Sequence, residues 1–510
     1  MVGILALLVG TSMLAIRIPV PCVHDEFSYL LAADTFSHGR LTNPAHPLWE
    51  HFESFHIIQQ PSYASKYQPG QGMLLALGNL LSGYPAMGAC LGTALAAMAT
   101  CWMLQGWLPV RWAWLGGLLV ALHGMIQIRW SLGYWGGELP MTGGALLFGA
   151  LPRLTRIYPI PRVRDSLGMA LGALILAATR PYEGLIASLC VLAALAWWLL
   201  GRRRPSLPLL LTRVVLPALA LMGFGLGGLA FFNHQVTGNW LRLPYQVYET
   251  TYGCCPLFLW QAPKQEPKFH HEVMRKLQAG WGVQDYNQQQ SLGGLLQAKA
   301  GSALKLWKFY LGIPLTLPLF ALPWLLTNRR LQFAWLALLV SYASSWAVPW
   351  TFPHYVAPIA PLVVLVVVQG MRYFQALGRR GQRWALAIVP VVLVWHIATL
   401  VQLCTQYATW DPQGWQWDRE RIRTELENKT RPQLVLVHYA ADHNGHAEWV
   451  YNLADIDRSK VVWARSMGPE RDRELLDYFP DRQTWLLEAD TPHPQLQPIA
   501  RQSSLVRAGG

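Results

Sequence analysis

Long apolar stretches follow one another from the first residues of the chain to about residue 404, with short polar gaps between them. A helix needs about 20 mostly apolar residues to cross the roughly 30 Å hydrocarbon layer of a membrane. The pattern therefore predicts an all-α polytopic membrane protein with about 11 transmembrane helices. These spans lie near residues 2–16, 86–107, 112–129, 136–151, 166–179, 184–200, 213–232, 307–327, 331–348, 355–376 and 384–404.

The composition agrees with this prediction, because 53% of the 510 residues are hydrophobic and only 14% are charged. The net charge of +13 does not indicate a nucleic-acid partner, because the basic residues gather in gaps on one side of the spans. This is the positive-inside pattern. It predicts a cytoplasmic N-terminus, an extracytoplasmic C-terminus and outer loops at 17–85 and 233–306. The lack of a eukaryotic-style targeting segment and of long luminal loops favours the inner (plasma) membrane of a bacterium. The clusters are Arg153, Arg156, Arg162 and Arg164; Arg202, Arg203, Arg204 and Arg213; Arg329 and Arg330; and Arg379, Arg380 and Arg383.

Two short features near the N-terminus do not change the count. The first span has no basic residues before it, so we expect an uncleaved anchor and not a signal peptide. Residues 71–83 are apolar but too short to cross, and we interpret them as an interfacial or re-entrant helix.

The seven cysteines include no CxxC pair. A disulfide from Cys22 to Cys254 or Cys255 requires that both ends lie outside the cytoplasm.

The last hundred residues differ in kind from the rest. The runs at 433–438, 460–464 and 483–487 are typical of short strands, and helical patterns lie near 448–453 and 469–478. Alternating strands and helices predict a small α/β domain. We therefore divide the chain into a membrane domain, residues 1–404, and an α/β domain on the outer face, residues 405–510.

The segment from residue 22 to residue 66 is dense in carboxylates and imidazoles. Asp25 and Glu26 follow the first span closely, where they would lie at the membrane surface. Such acids can act as a general base, a metal ligand or a proton relay. The alternative is that they are solvated and cap the helix that begins near Phe27.

Two other groups could hold a metal. On a helix, Glu53 and His56 would share a face, so they are candidate ligands for a divalent ion. We prefer an amphipathic interfacial helix whose Trp49, Phe52 and Phe55 dip into lipid. No cofactor is established by the sequence, and the divalent metal stays open. In the tail, Asp442, His443, His446 and Glu448 resemble a metal site, but we interpret them as solvated loop residues.

Three outward positions could bind a substrate. Arg180 lies outward against the positive-inside bias, so we expect an anionic partner, and a phosphate suits its guanidinium. The alternative is an arginine that reaches the headgroup level by snorkelling. His354 and Tyr355 open a proline-rich helix and could donate to a phosphate. Arg129 and Glu138 belong to an aromatic, charged loop that suits sugar stacking or marks the membrane interface.

Taken in order, three patterns resemble the GT-C superfamily of membrane glycosyltransferases, which includes protein O-mannosyltransferases and the bacterial aminoarabinose transferase acting on lipid A. HDEFSYLLAADTFSHGRL, from residue 24, is similar to the family's first outer loop. ATRPYEGL, from residue 178, resembles its short basic turn, and PHYVAPIAPLVVL, from residue 353, resembles its late proline-rich helix. The similarity runs in patches over residues 1–404.

The resemblance implies a helical bundle with an outward active site, a sugar donor on polyprenyl phosphate or diphosphate, and inverting transfer to an extracytoplasmic acceptor. By matching position, Asp25 is the base with Glu26 beside it, and Arg180 binds the lipid phosphate. Lys66 approximates a basic residue of the family, although it stands three residues before Pro69 and not next to a proline. His354 stands where the family usually has arginine.

Two other functions remain open from the sequence. A transporter or flippase for a lipid-linked or anionic substrate would show inverted repeats and midplane charges, whereas here the charges lie in loops. The α/β tail could instead be a sensor or assembly module that the helices anchor. The partners we expect are a polyprenyl-phosphate-linked sugar, membrane lipids and an unidentified outer acceptor.

Overall fold

The computed structural model describes residues 1–201 and 204–499; the predicted basic positions Arg202 and Arg203, and the last part of the tail, lie outside them. The longer helices up to residue 409 pack on one another in a bundle, and two more lie in the tail. Their bounds are Val2–Ile16, His24–Ser37, Pro69–Ser82, Pro85–Gln105, Val110–Ala121, Glu138–Pro152, Val163–Ala177, Pro181–Leu200, Leu216–Thr237, Leu292–Tyr310, Gln332–Ser344, Ala360–Arg379, Ile388–Thr409, Trp415–Glu427 and Pro469–Tyr478.

Shorter helical pieces extend or connect these helices. The α-helical ones are Gly124–Arg129, Leu207–Leu210, Pro244–Thr251, Glu272–Arg275, Val283–Gln288, Gly312–Thr316 and Leu322–Thr327. The π-helical ones are Arg153–Ile157, Leu211–Val215 and Lys276–Gly282. The 3-10 turns are Trp49–Phe52, Leu317–Ala321, Ser345–Ala347, Ala357–Ile359 and Arg383–Ala387.

The chain is an integral membrane protein, but the count of about 11 spans is not confirmed. Each predicted span coincides for most of its length with helical residues, yet among the described residues five helices are long and apolar enough to cross a membrane. A sixth is added if two helices that meet at 96° are one broken span. The others, such as Val110–Ala121, are too short by themselves.

The apolar segment at 71–83 is a helix, as the sequence predicted. It begins at Pro69 and ends at Ser82, and Gly83 follows it in a left-handed conformation at φ 78°. It packs closely on the next helix through two glycines. A Cβ on Gly78 would lie 2.0 Å from the backbone nitrogen of Gly88, so any side chain there would push these two helices apart.

The first long loop forms a small antiparallel sheet and not the predicted helix. Its strands are β1 (Asn43–Pro44), β2 (Ile57–Ile58) and β3 (Ser62–Ser65), in the order β1-β3-β2. Only a single 3-10 turn, Trp49–Phe52, interrupts the extended chain. Phe52 and Phe55 are fully buried, so the predicted lipid-dipping helix is wrong: these rings pack on protein.

The tail contains a four-stranded sheet in the order β5-β4-β6-β7, where β4 is Gln433–His438, β5 is Val461–Arg465, β6 is Gln483–Glu488 and β7 is Leu496–Pro498. Both neighbours of β4 run parallel to it, and β7 is antiparallel to β6. The helix Pro469–Tyr478 crosses from β5 toward β6, so the predicted α/β architecture of this region is correct.

The predicted helix near 448–453 is wrong, since the described chain there is irregular. Glu448 forms an ion pair with Arg465 at 2.5 Å, and the two side chains are 1% and 2% exposed. His443 is also buried, against Asp490 at 2.6 Å. Our interpretation of Glu448 and His443 as solvated is therefore wrong, although Asp442 is exposed as predicted.

The tail domain packs directly on the first long loop. Arg465 donates from Nε to the carbonyl of Glu53 at 2.7 Å, and His51 lies 2.9 Å from the Arg465 carbonyl. Tyr63 donates to the carbonyl of Asn452 at 2.9 Å. These buried bonds join residues 50–65 to residues 450–466, so the tail covers the region in which the candidate chemistry lies.

All seven cysteines are free thiols.

Candidate functional site

Asp25 lies in the first turn of the helix His24–Ser37, at the end of the bundle that the first loop covers. The helix dipole favours a negative charge in this turn. The hydroxyl of Tyr67 donates to Oδ1 of Asp25, while Oδ2 faces two imidazoles, His24 Nδ1 at 3.1 Å and His56 Nε2 at 3.5 Å. The Asp25 side chain is 28% exposed, so it can be reached from outside.

His56 is held in place by a strained backbone. Its φ is +62°, in the left-handed region that residues other than glycine rarely adopt. Its carbonyl accepts a 2.6 Å hydrogen bond from Ser28, one turn beyond Asp25 on the same helix. Strain of this kind is found mostly at functional sites. Here it turns the imidazole toward the Asp25 carboxylate.

The surroundings fix the charges of this group at neutral pH. Burial raises the pKa of Asp25, but the imidazoles of His56 and His24 outweigh burial and hold the pKa well below its usual range. Burial lowers the pKa of His56 to about 3, and the charge of Lys66 adds to that effect. Asp25 is therefore an anion.

Glu26 has a different environment from its neighbour. It is buried, and its two oxygens accept backbone N–H bonds of 2.8 Å from Cys22 and from Tyr134. Burial raises its pKa, and these two bonds partly offset the effect. Both oxygens are occupied by the backbone, so Glu26 fixes the loop that contains Tyr134 against the helix of Asp25.

Lys66 lies in an aromatic cage beside the carboxylate. Its Nζ is 3.4 Å from Oε1 of Glu249 and lies over the rings of Tyr248 and Tyr245, at 4.5 and 4.7 Å from their centroids. Such rings attract a cation through their faces. Burial lowers the pKa of Lys66, and the negative charges of Glu249 and Asp25 oppose this shift.

Arg180 occupies the turn before the helix Pro181–Leu200. Its guanidinium lies over the ring of Tyr355, 4.4 Å from the centroid. His354 lies next to Tyr355, with ring centroids 4.7 Å apart, and against Trp135 at 5.3 Å. Burial lowers the pKa of His354 well below its usual range, and the charge of Arg180 lowers it further. His354 is therefore neutral.

Two tyrosines connect these groups. Tyr29 and Tyr67 stack with centroids 4.3 Å apart, and the charges of both Arg180 and Asp25 act on the Tyr29 hydroxyl. The ring of Tyr67 also faces Lys66 at 5.5 Å. The predicted residues Asp25, Lys66 and Arg180 thus surround one pair of aromatic rings, although 155 positions separate the first from the last in the sequence.

Three predicted residues have other surroundings. Arg129 is exposed and lies near Cys22. Glu138 is fully buried and accepts a 2.9 Å bond from Gln71. The charge of Glu138 acts on the Tyr29 hydroxyl, so Glu138 lies at the edge of the group formed by Asp25, Lys66 and Arg180. Glu53 does not share a face with His56.

Glu53 belongs instead to a separate group below the tail domain. It accepts a 2.6 Å bond from the Tyr252 hydroxyl and lies 3.0 Å from His270 and 3.4 Å from His271. The proposed pairing of Glu53 with His56 as metal ligands is therefore wrong. The described residues do contain a different group that could hold a metal ion, formed by His24, Asp25 and His56.

The sequence analysis left four members of the site unassigned. His24 and Tyr67 are adjacent to residues that it had singled out, and a closer reading of the same loop could have included them. No local pattern marks Glu249, which lies 183 positions from Lys66. His446 was interpreted as a solvated loop residue of the tail; this is wrong, because it is half-buried and lies 3.1 Å from His24, 422 positions away in the chain.

Comparison with known proteins supports the fold that the motifs indicated. No protein-family model matches the chain, and no curated protein matches it. The structure is similar to crystal structures of ArnT, an aminoarabinose lipid A transferase, from Cupriavidus metallidurans, in the apo state and bound to undecaprenyl phosphate. For both, the TM-score is 0.51 and the identity 12%, with 95% of this chain and 91% of that chain covered.

An oligosaccharyltransferase structure from Archaeoglobus fulgidus has a TM-score of 0.47 at 11% identity and covers 96% of this chain and 68% of its own. The similarity to ArnT establishes the fold alone, because the identity is low. The chain therefore shares the fold of the ArnT structures.

Proposed function

We propose that this protein transfers a sugar from a polyprenyl-phosphate or -diphosphate donor to an acceptor outside the cytoplasm, with inversion at the sugar carbon. The observation that carries the proposal is the grouping of one carboxylate, Asp25, with two cations, the buried Lys66 and the half-buried Arg180, around the rings of Tyr29 and Tyr67. The carboxylate can remove a proton from the acceptor, and the two cations can neutralise the phosphate of the donor. Both are needed for glycosyl transfer from a lipid phosphate.

Lys66 and Arg180 would bind the phosphate of the lipid carrier. A phosphate leaves readily once its charge is neutralised, and cations in a desolvated pocket stabilise that charge better than cations in water do. Glu249 is the present partner of Lys66 at 3.4 Å, so a bound phosphate would compete with it for the ammonium. The fork of Arg180 matches two phosphate oxygens.

A mostly apolar cavity supports the lipid part of the proposal. It adjoins Tyr355, the ring on which Arg180 lies. Through Tyr355 the cavity lies next to Arg180, where the phosphate of the lipid carrier would bind. The lining residues include Tyr182, Glu183, Val348, Thr351, Pro358 and Ile359.

Asp25 would act on the acceptor. The acceptor hydroxyl attacks the anomeric carbon from the face opposite the phosphate, the bond from carbon to the phosphate oxygen breaks, and the hydroxyl proton passes to Oδ2 of Asp25. The low pKa of Asp25 makes it a weak base, so we assign most of the rate enhancement to the positioning of the reactants and to the two cations. Tyr67 holds the other carboxylate oxygen and so orients the base.

The test is sugar release or transfer from a panel of polyprenyl-phosphate sugars by purified protein. We expect turnover by the wild type and a loss of about 10²- to 10⁴-fold for Asp25→Asn. Asp442→Asn, which removes an exposed carboxylate of the tail, is the matched control and should retain activity. Full activity of folded Asp25→Asn would contradict the role of Asp25. No turnover of any donor by folded wild type would contradict the proposed function.

A further inference from the structure

Two tryptophans lie side by side near the candidate base, and the proposed function does not use them. The indoles of Trp281 and Trp350 stack with their centroids 5.6 Å apart and their planes at 8° to each other. Trp281 is 46% exposed, although proteins bury most of the surface of an average tryptophan. Exposed apolar surface of this kind marks binding sites when it is not scattered singly. We call Trp281 and Trp350 the tryptophan pair.

Hydrogen bonds hold the tryptophan pair in place. Its first member belongs to the π-helical piece Lys276–Gly282, and π-helical turns are frequent at functional sites. Lys276 donates to the carbonyl of Ala441 in the tail domain. The second member follows Pro349, whose carbonyl accepts a 3.1 Å hydrogen bond from the side chain of Gln289. The pair is therefore anchored to the outer loop and to the tail domain before any ligand binds.

A series of ring contacts leads from the tryptophan pair to the candidate base. The rings of Trp281 and His446 lie 5.3 Å apart at 84° to each other. His446 stacks on His24 at 5.2 Å, and His24 lies 3.1 Å from Oδ2 of Asp25. Tyr67, whose ring faces the buried lysine of the site, holds the other oxygen, Oδ1. The pair thus approaches the carboxylate through the oxygen that would take the acceptor's proton.

The chemistry of this surface suits a sugar ring. The face of an aromatic ring carries partial negative charge, so it attracts the C–H bonds on the flat side of a pyranose. The hydroxyls of such a sugar need polar partners beside the aromatic face. Gln284 is exposed one turn after Trp281. Asn444 is also exposed, and its Oδ1 accepts a 3.1 Å hydrogen bond from the backbone N–H of His446.

We propose that Trp281 and Trp350 stack on a pyranose ring of the acceptor, so that the acceptor of this protein is a carbohydrate. The binding of a pyranose rests on the geometry of the pair, whereas its role as the acceptor rests on the proposed function. The sugar of the donor has a different place, because it is attached to the phosphate that Lys66 and Arg180 would hold. The pair reaches the carboxylate from the side of Oδ2.

The test is saturation-transfer NMR on the full-length protein in lipid nanodiscs, because maltoside detergents would themselves present pyranose rings. The probes are cellotetraose, a linear glucose tetramer with β linkages, and chitotetraose, its N-acetylglucosamine counterpart. Aromatic protons of the protein are saturated, and we expect transfer to the C–H protons on one face of the sugar rings. Trp281→Leu should weaken binding about 2- to 10-fold. Trp281→Tyr keeps an aromatic face and should retain most of the affinity.

Trp260→Leu is the matched control. Trp260 is 70% exposed and stacks on Phe258 with centroids 4.5 Å apart, but the ring contacts that lead to Asp25 do not pass through it. This variant should bind like the wild type. No binding of either tetrasaccharide by folded wild type, equal losses in Trp281→Leu and Trp260→Leu, or equal affinities of Trp281→Leu and Trp281→Tyr would overturn the proposal.

The wild-type spectrum decides the question even if the leucine variants fail to fold. Stacking on the pair saturates one face of the sugar, so uniform saturation of both faces would overturn the proposal.

A second measurement separates the acceptor from the donor. In the sugar-release assay without an acceptor, Trp281→Leu should leave KM for the lipid-linked donor unchanged. A rise in this KM that matches the loss of tetrasaccharide binding would assign the pair to the donor sugar and overturn the proposal. The two proposals fail separately: pyranose binding without turnover of any donor would contradict the proposed function only, and turnover without pyranose binding would contradict the role of the tryptophan pair only.

Discussion

The buried pair of Lys66 and Glu249 makes a sharp prediction about lipid-phosphate binding. Lys66 is only 5% exposed, and its Nζ lies 3.4 Å from Oε1 of Glu249. At an effective dielectric constant of about 20, two unit charges at that separation attract by about 5 kcal/mol. Burial already lowers the pKa of Lys66, and Glu249 opposes that effect. Glu249→Gln should therefore lower the pKa of Lys66 further.

The expected result is a change in the pH dependence of binding. Only the protonated ammonium neutralises a phosphate, so affinity is present at low pH and is lost as pH rises through the pKa of Lys66 in the folded protein. In Glu249→Gln this loss should begin at a lower pH than in the wild type. At a pH below both transitions the variant should bind at least as tightly, because the competing carboxylate is absent.

The assay is binding of undecaprenyl phosphate to purified protein, followed between about pH 6 and about pH 10, the range in which a lysine with a lowered pKa titrates. Lys66→Met should bind weakly at every pH. Glu266→Gln, which removes an exposed carboxylate from the same outer loop, should behave like the wild type. Identical pH profiles for Glu249→Gln and the wild type would refute the reasoning, because Glu249 would then have no influence on the charge of Lys66.

Three further changes test other contacts. Tyr67→Phe removes a hydrogen bond to the charged carboxylate of Asp25, worth about 1.5–3 kcal/mol; the pKa of Asp25 should rise, and the acid limb of the pH–rate profile should move to higher pH. An unmoved limb would contradict this. Glu448→Gln leaves the Arg465 guanidinium buried without its partner and should cost about 3–5 kcal/mol of stability, measured by chemical unfolding; a loss under about 1 kcal/mol would be inconsistent with that ion pair. Arg180→Lys keeps the charge but loses the planar fork, so KM for the lipid donor should rise about tenfold, or about 1.4 kcal/mol, with kcat nearly unchanged.

The sequence was most informative where local pattern and local chemistry agree. The strand Gln433–His438 and the helix Pro469–Tyr478 were predicted with the bounds that they have, because the first is a continuous apolar run and the second begins with proline and acidic residues. The order of the GT-C motifs also predicted the fold. Residue type and position identified Asp25 and Arg180 as candidates, and the resemblance to the GT-C family added Lys66.

The errors arise where tertiary contacts override local preference. Residues 448–453 have a helical pattern, but Glu448 forms a buried ion pair with Arg465. The backbone of this segment is irregular and not helical. Phe52 and Phe55 looked suited to lipid, but the tail domain and the outer loop cover them. The contact of Glu249 with Lys66 and that of His446 with His24 could not be predicted, since the partners lie 183 and 422 positions apart in the chain.

The hydrogen bonds between the first loop and the tail domain have a consequence for biosynthesis. His46, His51 and Tyr63 have partners that lie 411, 414 and 389 positions later in the chain. At about 5–20 residues per second, a ribosome needs about 20–80 s to make that length. During this interval the loop that contains Asp25 has no tail domain to pack on. We therefore expect that the first loop reaches its final packing only after the tail domain has been made.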